Sequence, residues 1–585
     1  MASDRALPRN GLRLACWLSG ITLLSCAHDP RTFALRAPVL RDQDLDLVRV
    51  DCPEKPAQAG VKAAACAPEL YESSFSWDAA DMSIFRPISK FFQVDSYGES
   101  ENVNAFDEVP DSSWFVNRIG ASALTPDDVA RGYCGEGAEL KANPADGTWL
   151  IDHGKDNGAN PGFRVKVDGE KFMLKTDDTQ AERATGAAAI ATRFYYAAGW
   201  WAPCDSVVYF KKSALKLKPG LEIKANVGPP KKFDDKLLDK ILAATARRGD
   251  LYRAVASRWL PGQPLGPFTY EGRRDDDPSD VIKHENRRDL RGARVIAAWL
   301  NHFDSREQNS MSTWMPANEE EPQSPGYVRH WYIDLGDCFG SEWAVDGFSR
   351  RLGKSYLLDF QHIGADFVTF GTIERPWERA HRTPGQENFG YFNAQDFDPD
   401  SWAGEYPNPA FSRMTERDAA WAARIIARFT PAHVRAAVSV GNFSKPENTE
   451  FLVRVLLERQ HILLARYFSK LSPLTDIRVD GRQVCATDLA RHTGTFPRSS
   501  FHYSAMSTHG NADPAPLSTS LTGADEVCVQ LPEVALGRDI PDTAKPRYIQ
   551  VRIGNGSAPG PLLVHFYDLG PERGLRLVGI ERPEP

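Results

Sequence analysis

Between Leu290 and Phe303 the apolar residues Leu290, Val295, Ile296, Trp299, Leu300 and Phe303 fall on one side of a 3.6-residue helix. Such a stripe has to be covered by other elements, so the helix is expected inside the protein and its end decides where the chain emerges. The stripe runs out into NHFDSREQN, which carries Asp304 and Asn309, and a strand-like run, HWYI, then leads into Asp334. The spacing of Asp304 and Asn309 can aim a carboxylate and an amide at one site. Arg287, Arg291 and Arg294 share the opposite face of the helix, where solvation is the expected state and phosphate binding the alternative.

The rest of the chain has the material to bury that stripe. Of 585 residues 42% are hydrophobic and 25% charged, the balance of a globular chain long enough for several folded units. The formal net charge is -8 and no basic stripe is sustained, which sets nucleic acid aside as a partner. At the N-terminus Arg5, Arg9 and Arg13 precede the apolar run LACWLSGITLL, the layout of an export signal over residues 1–25. Leu23, Leu24, Ser25 and Cys26 resemble a bacterial lipobox, which implies lipidation of Cys26; Ala27 in place of Asp then implies an outer-membrane lipoprotein held to the membrane by its lipid. An ordinary signal peptide with an incidental cysteine is the other reading.

Residues 26–80 are rich in Ala, Pro and charge without a period and read as a tether. Residues 81–147 read as an extension packed on the core, with Ser113, Trp114 and Phe115 forming a buried aromatic corner or capping a ligand cleft. From 148 to 270, TWLIDHG and FRVKVDGEKFMLK read as strands, the latter pair joined at Asp168 and Gly169; a helix comes next over TQAERATGAAAIATRFYYAAG, and VVYFKK and YRAVASRWL are further strands. After a charged linker near 271–280, residues up to 471 are dominated by helical patterns, among them TERDAAWAARIIARF and TEFLVRVLLERQHILLARYFSKL. Residues 472–585 carry short alternating runs and read as a separate β domain.

Among the nine cysteines, Cys52 with Cys66 and Cys485 with Cys528 are close enough in sequence to bridge in an oxidising compartment, although sequence does not fix the pairing. No CxxC, Cys/His cluster or HExxH has zinc-site spacing. Gly336, Cys338 and Gly340 fit G-x-C-x-G, which admits a cysteine hydrolase using His362 or His381, but residues 410–470 look wholly helical where that fold needs alternating strands.

Phosphoryl transfer from a nucleotide needs a cation for the phosphates, oxygen ligands for a divalent metal and a carboxylate beside the acceptor hydroxyl. The chain offers these groups in order. LK at Lys175, AER at Glu182, NHFDSREQN and IDLGDCFGS together resemble the atypical members of the protein-kinase-like superfamily: phosphatidylinositol 4-kinases, bacterial persistence-toxin kinases, spore-coat kinases and secretory-pathway kinases. The resemblance covers about residues 148–470 and implies an α+β fold with a two-lobed kinase-like core, a small β-rich N-lobe and a helical C-lobe, followed by the all-β C-terminal domain. It implies Lys175 on the phosphates of ATP with Glu182 as its ion-pair partner, Asp304 as catalytic base, Asn309 and Asp334 as ligands of Mg or Mn, and YRAVASRWLPG beside the adenine. The acceptor would be a hydroxyl of a protein, sugar or lipid. HGKDNGANPG stands where the family has its glycine-rich loop, without the G-x-G-x-x-G pattern, and Asn301, His302 and Phe303 precede the acid where His-Arg is usual. Glu182 also fits a capping box with Thr179, and Asp304, Asn309 and Asp334 fit turn positions. An inactive kinase-like protein or a surface-binding lipoprotein remains the alternative.

Overall fold

Alternating residues pair into antiparallel strands around Asp168 and Gly169, whose φ values of 49° and 88° make the two-residue turn that matches strand twist. In the computed structural model, which describes residues 31–36, 42–50, 66–71, 75–93, 98–135, 137–141, 145–155, 160–177, 180–223, 230–321, 323–340, 345–533, 537 and 539–584, this hairpin lies within a seven-stranded sheet. Its order is Asp205–Phe210, Leu251–Arg258, Glu170–Lys175, Gly162–Val167, Trp149–Gly154 and Leu215–Leu217, with Arg247–Arg248 also paired to Leu251–Arg258. One face carries Ile151, Phe163, Phe172, Leu174 and Val208 and packs on Leu238 and Leu242 of the helix Asp235–Ala244. On the other face Val255 and Val207 meet Ala188 and Ala189 of the helix Arg183–Ala198.

That second helix also faces the helical layer. The stripe on Arg288–Leu300 is buried as its spacing requires, with Trp299 against Phe194 and Phe429 in a core shared with Glu416–Ile426, Pro431–Ser439 and Pro446–Phe468. Trp114 and Phe115 sit in the same core, so they form the aromatic corner and not a cleft cap. Two further sheets, Leu474–Asp480 with its partners and Ser504–His509 with its partners, close face to face over Val484, Val527, Ile549 and Val564 to form the C-terminal β unit. The fold is therefore α+β.

Three expectations are corrected. The described parts of 26–80 are not a free tether. Phe33 is buried against His565 and its carbonyl accepts from Tyr567, Asp42 and Asp44 pair with Arg287, and Val48 bridges Gly326. These contacts use single residues without a period, which is why the stretch reads as unstructured. Arg287 and Arg291 are not solvated either: both are 1% exposed or less, Arg287 on the two N-terminal acids and Arg291 on the carbonyls of Glu285 and Gly98. The linker near 271–280 is folded, with Asp280 2.8 Å from His284. Cysteines match expectation in part. Cys485 and Cys528 are bonded, Cys66 is in a disulfide, Cys52 lies outside the described residues, and the bridge between Cys134 and Cys204 joins positions 70 apart that sequence gave no reason to pair.

Candidate functional site

Lys175 ends its strand on the face covered by the helix Arg183–Ala198. Of the capping box that Glu182 also fits, Thr179 lies outside the described residues; the first turn is capped by Asp177, which accepts from the backbone N–H of Glu182 at 2.9 Å and of Thr185 at 3.0 Å. Glu182 takes φ 68°, a left-handed conformation just before the helix. That geometry turns its side chain toward the helical layer, where its Oε2 accepts from the backbone N–H of Ser444 at 2.8 Å and from its hydroxyl at 2.9 Å. The expected ion pair between Lys175 and Glu182 is thus replaced. Lys175 Nζ sits 2.7 Å from Asp334 Oδ1 instead.

Asp304, Asn309 and Asp334 are brought together by local chain geometry. Asn301 (φ 54°) stops the buried helix, and its Oδ1 accepts from Trp402 Nε1 at 3.0 Å. The chain then turns so that the Asn309 side-chain amide donates to the Asp304 carbonyl at 2.8 Å. From Asn309 the strands Ser310–Pro316 and Gly326–Tyr332 run out and back in register, Ser310 opposite Tyr332, and the Ile333 N–H donates to the Asn309 carbonyl at 3.0 Å. Asp334 is the next residue, in the left-handed region at φ 56°. A Cβ on Gly336 would stand 3.4 Å from the Ala184 carbonyl and 3.7 Å from Asn160, so the Asp-Leu-Gly turn lies between the helix start and the loop after Trp149–Gly154.

The electrostatics of this region are sharply divided. Burial opposes ionisation of Asp334, yet Lys175 beside it and Lys155 farther off hold its carboxyl down at about 2. Burial in turn pushes Lys155 down to about 8; its ammonium donates to the Asn160 carbonyl at 2.8 Å. Asp304 is pushed up to about 6 by burial, against the pull of Arg306 2.9 Å away, and Glu405 rises to about 7 by burial and the charge of Asp304. Asp337 is pushed well up by burial and by Asp304, whose backbone N–H donates to it at 2.9 Å. His302 is fully buried with Nδ1 2.7 Å from the Tyr195 hydroxyl, and burial takes it down to about 3, so it is neutral at pH 7. An ionised acid near two lysines, beside carboxyls poised close to neutrality, is a set suited to holding an anion and moving a proton.

Sequence reasoning missed Lys155, His302, Asp337, Glu405 and Asp205. Lys155 and His302 stand inside segments already singled out, whereas Glu405 and Asp205 reach the region only through tertiary packing. The strand of YRAVASRWLPG is present as Leu251–Arg258; beside its end, Tyr133, Lys171, Trp259 and Pro261 line a hollow of about 380 Å³. A larger cleft, about 770 Å³, lies elsewhere, lined by Lys90, Phe91, Lys354, Phe360 and Trp402. Cys338 is buried and its thiol is pushed well up by burial and Asp337, while His362 and His381 pair with Asp359 and Asp396, so no cysteine–histidine pair is assembled from these residues. Cys26 lies outside the described residues. Comparison of the chain with protein-family models, with characterised proteins and with solved structures finds no match in any of the three.

Proposed function

We propose that the protein is an atypical kinase-like phosphotransferase, with a β-rich lobe over a helical lobe, that moves a phosphoryl group from ATP to a hydroxyl. The observation that carries this reading is the convergence of Lys175, Lys155 and the Asp304–Asn309 turn on Asp334, delivered by one in-register strand pair. In this reading Asp334 and the Asn309 side chain would hold Mg²⁺ or Mn²⁺, whose charge would offset that of the phosphates. Lys175 and Lys155 bind the phosphates, and the hollow at Trp259, beside the strand Leu251–Arg258, takes the base. Asp304, raised toward neutrality, accepts the proton of the incoming hydroxyl, with Glu405 beside it to share that proton. Neutral His302 braces the turn.

Residues 1–25 are proposed as an export signal and Cys26 as the lipid attachment, which places the activity at the bacterial outer membrane. A second reading, a kinase-like binding protein without catalysis, is favoured by one feature: Lys175 occupies Asp334 while Glu182 is held by Ser444. Calorimetric titration of ATP with and without Mg²⁺ or Mn²⁺ separates the two, using protein from residue 27 onward, which retains every described residue. Metal-dependent binding that Asp334→Ala abolishes supports the transferase and opens the search for its acceptor. No binding by folded protein leaves the binding module.

A further inference from the structure

A divalent cation on Asp334 competes with Lys175, whose ammonium already sits 2.7 Å from Oδ1 of that carboxylate. Once a metal takes Asp334, Lys175, its side chain 17% exposed, has the phosphates ahead of it and needs a second anion behind it to hold its position. Glu182 is committed to Ser444. The strand register identifies a different candidate. Lys175 lies opposite Val255 and Val255 opposite Val207; two residues along, Met173 lies opposite Ser257 and Ser257 opposite Asp205. Directly opposed residues share a face, and the face repeats every second residue, so Lys175 and Asp205 project from the same side of the sheet.

Asp205 has the properties the role requires. It is 3% exposed and carries a side-chain hydrogen bond from Ser257, its opposite number in the strand pair, while its Oδ1 meets no donor in good hydrogen-bond geometry among the described residues. A buried carboxylate oxygen without a donor is an acceptor with unused capacity. Arg193 also faces this acid, but its guanidinium donates to the Ala130 carbonyl at 2.7 Å and to Glu139 at 3.2 Å. Asp205 is, after Asp334, the carboxylate whose charge acts most on Lys175.

We propose that Asp205, and not Glu182, is the positioning carboxylate of Lys175: when metal and nucleotide occupy Asp334, the Lys175 ammonium transfers its ion pair to the free oxygen of Asp205. The proposal rests on the phosphoryl-transfer reading for its nucleotide step, and on geometry alone for the coupling of the two side chains.

Two measurements on protein from residue 27 onward keep these apart. The first is a stability cycle without nucleotide in an Asp334→Asn background, which releases Lys175 from Asp334 as the metal would, using Asp205→Asn, Lys175→Met and the double variant. Coupled residues give a double-variant Tm shift clearly smaller than the sum of the single shifts; additive shifts overturn the proposal whatever the protein binds. Should Asp205→Asn fail to fold, recovery of a folded protein in the double variant supports the pair, and an unfolded double variant beside folded Lys175→Met overturns it. The second is Mg²⁺–ATP affinity and, where turnover is found, the split between KM and kcat. Asp205→Asn is expected to weaken nucleotide binding tenfold or more and to lower kcat, Asp205→Glu to restore part of both, and Glu182→Gln to change neither by more than twofold. Loss in Glu182→Gln with Asp205→Asn unaffected reverses the assignment. Wild-type protein that binds no nucleotide ends the functional reading while the stability cycle still decides the pair.

Discussion

Asp107 joins three separate parts of the chain, and removing its charge gives a measurable consequence. Its Oδ1 accepts from Arg288 at 2.6 Å and its Oδ2 from Arg582 at 2.6 Å, with Arg424 3.8 Å away. Arg288 opens the buried helix, Arg424 belongs to Glu416–Ile426, and Arg582 comes just after the last strand of the C-terminal β unit. The side chains of Arg288 and Arg582 are 3% and 2% exposed. Asp107 has φ 59°, a left-handed conformation that Asn tolerates as well as Asp, so Asp107→Asn removes the charge and keeps the backbone. Breaking one side of a buried ion pair costs about 3–5 kcal/mol, because the remaining charge stays out of water. Arg288 retains Asp418 at 3.2 Å, whereas Arg582 retains, among the described residues, hydrogen bonds to the carbonyls of Ser472 and Leu474 and the more distant charge of Glu108, so the loss concentrates where the β unit docks. A destabilisation of about 3 kcal/mol is expected at pH 7.

The sign of the pH dependence adds a second test. Burial opposes ionisation of Asp107, yet Arg288, Arg582 and Arg424 hold it well below the usual carboxylate range. A carboxylate depressed in the folded state contributes stability that is present above its unfolded pKa, near 4, and is lost as the pH falls through the folded value. Wild type and Asp107→Asn therefore differ most at neutral pH and converge in acid. Urea unfolding by tryptophan fluorescence reports only the body, since Trp421 is the last tryptophan; hydrogen exchange over residues 472–584 reports the docked β unit. A difference below about 1 kcal/mol at pH 7, or one equally large at pH 3, refutes the reasoning.

Replacing Cys134 and Cys204 together by Ser opens a loop of 70 residues and is expected to remove up to about 4 kcal/mol, read as a fall in Tm under oxidising conditions; equal Tm values with and without reductant in wild type contradict it. Lys155, held down at about 8, should lose its charge as the pH rises through that value, so Mg²⁺–ATP affinity is expected to drop between pH 7 and 9 in wild type and to stay flat in Lys155→Met; a flat wild-type profile removes Lys155 from the phosphate site. Inserting one residue between Thr313 and Trp314 shifts the register that sets Asp334 beside Asn309 and should abolish metal-dependent nucleotide binding, whereas inserting Gly-Ser after Glu320, in the turn, should cost well under about 1 kcal/mol and leave binding intact. The same loss from both insertions would show that the strand pair does not set the site.

What the sequence displayed and what it hid divide along the range of the contacts. The stripe from Leu290 to Phe303, the hairpin at Asp168 and Gly169, and the alternating runs after 472 each repeat with the period of their element, so burial on one side can be read from spacing. Asp304, Asn309 and Asp334 were legible for a related reason: a helix end, a turn and two paired strands connect them without any distant segment. The N-terminal residues were not legible, because Phe33, Asp44 and Val48 bind the body singly and leave no pattern between them. Nor were the buried arginines, since a polar helix face looks the same in sequence whether water or a set of acids covers it.

Glu182 marks the limit most clearly. Its spacing from Lys175 is what a helix carboxylate needs in order to meet a strand lysine, but spacing assumes that the helix has already begun. Asp177 accepts the N–H groups of Glu182 and Thr185 and so starts the helix at Arg183, leaving Glu182 outside it in a left-handed turn. Ser444, from a segment more than 250 positions away, then completes the capture of that side chain. The cap at Asp177 thus takes Glu182 away from Lys175, whose ammonium meets Asp334, while Asp205 shares the face of Lys175 through strand pairing. The carboxylate partner of a strand lysine is therefore fixed by where the next helix starts, and only secondarily by which acids lie nearby in sequence.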